Sequence, residues 1–235
     1  MAEFAAAAGV SRTSFYREFG SREALLGALD LQPEPGARER ILEAALSLVG
    51  THGLSALSMD DLATQAEVSR ATLYRLFPGK AALFTSLVHR YSPLDPVIEL
   101  MASRQDEPPE VLMPEIARTV YRTFDVNGEI RVGVLRGLFF EISSLSPDTA
   151  EGAQDAIRGL VGSVVFYLMG HMRDGRLRQM PPLLALQSFV GPILFHLITR
   201  PLAEKVLGLD IDGEQAVTLL AENWLRAMAP EEATS

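Results

Sequence analysis

The chain has 235 residues, of which 48% are hydrophobic, a formal net charge of -9 and no cysteine. A composition this apolar excludes a disordered chain, and the length suffices for a small domain and a larger one, each with its own core. The lack of cysteine excludes a disulfide framework, a thiolate metal site and a cysteine nucleophile, and it favours a cytoplasmic location.

Helix signals dominate the first ninety residues. An apolar stripe at three- and four-residue spacing predicts a helix over 37–51. Ser58 and Ser69 have the character of N-caps for two shorter helices, and a longer helix begins at Lys80 after a Pro-Gly break. These elements together predict a compact helical module.

The rest of the chain also shows helical patterns and no strand alternation of useful length, so the predicted fold class is all-α. Pro93 and Pro96 indicate a bend or boundary, and Gly191-Pro192 should kink or end a later helix. The longest apolar runs are too short or too interrupted for a bilayer span, and we expect no membrane partner. Helices are predicted at about 110–124, 129–145, 148–173, 182–200 and 213–228.

An internal repeat links the N-terminus to this module. When residues 1–26 are shifted by 58 positions onto 59–84, eleven of the twenty-six positions are identical. The first copy lacks a counterpart of the helix at 37–51. Three explanations remain open: a working tandem pair, a decayed remnant, or a true start that lies upstream. We favour a vestigial or truncated copy.

The segment from Val68 to Arg90 carries four basic residues and no acid, within an acidic chain. Such a cationic window favours a polyanion, and its spacing suits duplex DNA. Small residues at the start of the third helix allow close approach to a groove, and Arg70 suits either a guanine or a phosphate contact. Free amides at helix starts favour an anion. The candidate DNA contacts are Ser58, Ser69, Arg70, Ala71, Thr72, Tyr74, Arg75 and Lys80.

Residues Arg38 to Val88 resemble the DNA-binding domain of the TetR family of bacterial transcriptional regulators. The resemblance is carried by RERILEAALSLVGTHGLSALSMDDLATQAEVSRATLYRLFPGKAALF. It implies a helix-turn-helix whose recognition helix contains the Leu-Tyr pair, and it strengthens Tyr74 and Lys80 as phosphate contacts. Two positions depart from the family pattern. Glu67 stands where a turn glycine is usual, and because glycine suits a left-handed turn residue, we expect modest strain at Glu67. Leu76 stands where an aromatic residue or histidine is common, which puts a phosphate contact at that position in doubt.

The C-terminal stretch Phe189–Met228 looks like the ligand and dimer domain of some TetR-family members. The resemblance implies a dimer seam formed by the helices around 182–200 and 213–228, with Trp224 in the seam or in the core. It also implies a pocket for a small effector, although ordinary core packing explains the same residues. The candidate pocket residues are Tyr121, Phe124, Phe139, Phe140, Phe166 and Met169, with His171, His196, Arg122 and Arg136 as weaker polar candidates.

Three segments are therefore predicted: a partial duplicate at 1–31, a helix-turn-helix domain at 36–90, and a larger helical ligand-binding and dimerisation domain at 91–230. The expected function is a homodimeric repressor that binds a palindromic operator on double-stranded DNA and is released by a small apolar effector. The alternatives are a ligand-independent activator or architectural DNA binder, and a helical protein-interaction module. We expect no enzyme, catalytic residue, cofactor or metal, since no histidine has a neighbour at metal-ligand spacing.

Overall fold

A computed structural model of the chain describes residues 36–54, 56–126, 129–144, 152–208 and 212–230, together with Ser11 and Thr13. The chain divides into two units, Met1–Arg40 and Ile41–Ser235, and most described residues belong to the second. The duplicate predicted at 1–31 lies outside the described residues except at those two positions, so it stays a prediction.

The described part of the chain is almost entirely helical, which confirms the all-α prediction. A hairpin of two-residue strands lies between the helix that ends at Phe124 and the helix that begins at Val132, with Asp125 opposite Ile130 and Val126 opposite Glu129. In chain order the elements are α1 (Ala37–His52), α2 (Met59–Gln65), α3 (Arg70–Leu76), α4 (Lys80–Tyr91), α5 (Leu94–Arg104), α6 (Pro109–Phe124), β1 (Asp125–Val126), β2 (Glu129–Ile130), α7 (Val132–Ser144), α8 (Gly152–Arg173), α9 (Pro182–Leu207) and α10 (Gly213–Ala227).

The bend or boundary predicted at Pro93 and Pro96 corresponds to the break between α4, which ends at Tyr91, and α5, which begins at Leu94. Pro96 itself lies in the first turn of α5, where its missing amide hydrogen would have had no helical acceptor. Gly191-Pro192, predicted to kink or end a helix, does not end one, because α9 continues through Pro192 and Pro201. It ends at Gly208, whose φ of 63° is left-handed. Packing of α9 against α7, α8 and α10 stabilises the helix despite its lost hydrogen bonds.

Two hydrophobic clusters organise the described residues. The first holds α1, α2, α3 and α4 together, and Leu62, Leu73 and Phe77 are buried in it. The second holds α5 to α10 together, with the closest packing between α6 and α10. We call these parts the head and the body. Helix α7 belongs to both, because its Leu138 lies in the head cluster while Leu135 lies in the body cluster.

Trp224, which was expected either in the dimer seam or in the core, is buried in the body core. Its indole Nε1 donates to the carbonyl of Ala185 at 3.1 Å and lies 3.0 Å from Ser188 Oγ. Its ring meets Phe189 edge-on with centroids 5.3 Å apart. These contacts join α10 to α9 within one chain.

Candidate nucleic-acid interface

The two serine caps position the helices of the head as the sequence predicts. Ser58 Oγ accepts from the amide of Asp61 at 3.3 Å and begins α2. Ser69 Oγ accepts from the amide of Thr72 at 3.1 Å and lies 2.9 Å from the Thr72 hydroxyl. Both serines thus satisfy amides that would otherwise lack a partner at a helix start.

The turn between α2 and α3 has the left-handed backbone conformation expected where the family usually has glycine. Glu67 has φ 52°, and it is the one non-glycine residue with positive φ among the described residues. The next amide, that of Val68, donates to the carbonyl of Ala63 at 3.0 Å and closes the turn. Glu67 therefore carries the backbone strain that a residue with a Cβ experiences in the left-handed conformation, and its side chain is exposed.

Helix α3 separates a buried side from an exposed side. Leu73 is fully buried, and Phe77, which caps the helix, is 1% exposed. The predicted contact residues Ser69, Arg70, Ala71, Tyr74 and Arg75 are exposed, and Thr72 is half-buried. Tyr74 exposes 49% of its surface, although it is a large aromatic residue. The helix therefore presents polar donors outwards while its apolar side anchors it to the head.

One partner of this surface escaped the sequence analysis. Arg70 Nη2 lies 2.6 Å from the carboxylate of Asp60, and both side chains are largely exposed. The cationic window contains no acid, but packing of α2 against α3 brings one from outside the window. A sequence separation of ten residues across a turn has no local signature, so the structure alone reveals this pair.

Lys80 begins α4 as predicted, and it also makes a contact that the sequence did not indicate. Its ammonium donates to the carbonyl of Leu54 at 3.3 Å, and the side chain is half-buried. This contact ties the loop after α1 to the start of α4, a structural role that the sequence analysis missed. Phosphate binding by Lys80 stays a prediction.

The candidate pocket residues are not brought together around one enclosed cavity. Tyr121 and Phe124 are buried in the body core, and the Tyr121 hydroxyl contacts Asp125 and accepts from Arg200 Nη1 at 2.8 Å. Phe139, Phe166 and Met169 are exposed, Phe166 by 79%. The Phe140 side chain lies outside the described residues. Large apolar residues on α8 occupy outward as well as inward positions, and ligand binding by these residues stays a prediction.

The weaker polar candidates also have defined surroundings. Arg122 Nε lies 2.6 Å from Glu214 and so joins α6 to α10. His171 Nδ1 and His196 Nε2 are buried without a hydrogen-bond partner among the described residues, and burial lowers the pKa of both rings. Arg136 is exposed on α7. No group of three or more metal-binding side chains occurs in the described ranges.

Known proteins with similar sequences and folds are regulators of transcription. The family described as "Bacterial regulatory proteins, tetR family" matches residues 1–29 and 41–87. An uncharacterized HTH-type transcriptional regulator of Mycobacterium tuberculosis is 30% identical over 158 residues, which cover 59% of this chain and 77% of that protein. The HTH-type transcriptional repressor KstR of Rhodococcus jostii is 33% identical over 109 residues, covering 42% of this chain and 49% of KstR.

The fold is also similar to that of a solved structure. A TetR family transcription regulator from Marinobacter aquaeolei superposes with a TM-score of 0.62 at 22% identity, covering 83% of this chain and 96% of that one. At this identity the likeness concerns the fold alone.

Proposed function

Since this chain belongs to the TetR family of bacterial transcriptional regulators, we propose that it is a cytoplasmic, homodimeric repressor that leaves a palindromic operator when a small, largely apolar ligand binds. It acts by binding and not by catalysis. The observation that carries the proposal is the exposed donor surface of α3, held by buried Leu73 and Phe77. The predicted division into 36–90 and 91–230 underlies the same proposal.

The recognition step depends on what α3 offers a groove. Ser69 and Ala71 are small and exposed, so the backbone can come close to the bases. Tyr74 and Arg75 extend from the same helix and suit phosphate oxygens. Arg70 is already held on one side by Asp60, and a carboxylate beside it repels phosphate. We therefore assign Arg70 to a base edge, where a bidentate contact with guanine is possible.

The dimer proposal is supported by the apolar surface of α9. One stripe of this helix, Ala185, Phe189, Ile193 and Leu197, is buried in the body. A second apolar stripe of α9 is exposed, and a large exposed apolar surface is typical of a protein–protein interface. By length and composition α9 also meets the criterion for a membrane span, but one such helix is weak evidence. The exposed apolar residues of α9 are Leu183, Leu184, Phe195, Ile198, Leu202, Val206 and Leu207.

A charge on the exposed stripe tests the dimer. Leu202 is 64% exposed in the single chain, so Leu202→Glu should leave the fold intact while it separates the two copies. Sedimentation velocity should show a dimer for the unchanged protein and a monomer for the variant. A monomeric unchanged protein would contradict the homodimer proposal.

Operator binding is tested with duplexes obtained by selection from a random pool, using fluorescence anisotropy at several salt concentrations. We expect Tyr74→Phe and Lys80→Ala to weaken binding to all operator variants alike. We expect Arg70→Ala to relax the preference at one base pair by about 1–3 kcal/mol. Arg173→Gln is the matched control, because it removes an exposed charge from α8 in the body. The proposal fails if the unchanged protein selects no duplex at low salt.

A further inference from the structure

An open cleft of about 510 Å³ lies where the head meets the body. The side of α1 and the end of α4 form its head walls, and the start of α7 forms its body wall. Gly133 lies in the body wall, and a Cβ there would meet no atom within 4 Å, so the space beside it is open. The cleft is separate from the body core that holds Tyr121 and Phe124.

The cleft has cationic side chains at its rim and apolar side chains on its walls. Arg90 at the end of α4 and Arg131 before α7 both line it and are exposed. Glu43 is the one carboxylate in the lining, and it is exposed. Leu46 and Val134 add apolar surface from opposite walls. Two guanidinium groups from different elements, with five donors each, suit a carboxylate or a similar anion.

We propose that this cleft binds a small organic anion with a short apolar tail. Arg90 and Arg131 hold the anionic group, and Leu46 and Val134 cover the tail. Because the walls belong to α1 and α4 on one side and to α7 on the other, an occupant contacts head and body at once. A bound ligand therefore stabilises one orientation of the head relative to the body. The coupling free energy between ligand and operator equals the difference in the ligand's binding free energy between the two orientations. The cleft is thus a second ligand site, in addition to the effector of the proposed function.

Calorimetric titration of the full chain with octanoate, in the absence of DNA, tests the site. We expect octanoate to bind, and 1-octanol, which has the same tail and no charge, to bind more weakly. The double variant Arg90→Gln with Arg131→Gln should raise the octanoate Kd by about tenfold or more, because both charged donors are lost. The double variant Arg158→Gln with Arg173→Gln removes two exposed charges from α8 and should leave the Kd unchanged.

A second pair of variants fills the cleft without changing charge. Gly133→Leu places a side chain in the open space, so it should abolish octanoate binding. Gly159→Leu on α8 is the matched control, because a Cβ there also meets nothing within 4 Å. The proposal is overturned if the unchanged protein gives no octanoate heat, or if both cleft variants bind octanoate as their controls do. Since no DNA is present, this outcome is independent of the operator-binding proposal.

Discussion

The turn residue Glu67 gives the sharpest prediction, because its conformation conflicts with its chemistry. Its φ of 52° is left-handed, which costs a residue with a Cβ about 1–2 kcal/mol. Glu67→Gly removes this cost, but glycine gives the unfolded chain more conformational freedom, which lowers the free energy of unfolding by about 0.4–1 kcal/mol. The exposed side chain has little packing to lose. The net gain should be about 0.5–1 kcal/mol, which corresponds to a rise of roughly 2 °C in Tm for a chain of this size.

Thermal unfolding followed by circular dichroism, at fixed protein concentration, measures this gain. Glu67→Ala is the decisive control, because it removes the same carboxylate but keeps a Cβ in the left-handed conformation. We expect its Tm to stay at or slightly below that of the unchanged protein. If the glycine and alanine variants shift Tm equally, the gain comes from charge and the conformational reasoning is refuted.

Three further predictions concern the body. Trp224→Phe removes the indole donor to α9, so the free energy of unfolding in urea should fall by about 1–3 kcal/mol. Gly213→Ala should destabilise the chain measurably in the same assay, because the added Cβ would overlap the Tyr121 ring. Burial lowers the pKa of His171 and His196, so the unfolded chain binds more protons near their ordinary pKa of about 6.5. The contribution of these two histidines to stability is complete above about pH 6.5 and is lost as the pH falls below it. The Tm should therefore decline towards about pH 5.5. The decline should be less steep in a variant that has glutamine at both positions.

The head could be predicted nearly residue by residue, because its determinants are local. Ser58 and Ser69 each cap a helix within three residues of themselves, and the apolar spacing of α1 fits a single buried side. The left-handed turn at Glu67 followed from the family pattern and is present in the structure. Short-range chemistry of this kind leaves few alternatives for the chain.

The contacts of the candidate site could be predicted only where they are local. Asp60 and Arg70 meet through the packing of α2 on α3, and Lys80 reaches the carbonyl of Leu54 across twenty-six residues. Neither pairing has a spacing rule that distinguishes it from two solvated side chains. Sequence patterns therefore identified the surface of α3 but not how its charges are partnered.

The body was harder because its helices are apolar on more than one side. Buried residues of α9 recur every four positions from Ala185 to Leu197, and this stripe alone would have indicated the core side. The exposed stripe that includes Phe195 and Leu202 repeats at nearly the same spacing, so the periodicity of the helix does not distinguish the two. A helix with two apolar stripes fits between two layers, and the described residues of one chain supply one of them. The proposed homodimer would supply the second layer, and it would also cover Phe166 and Met169 on α8, which point outwards in a single copy.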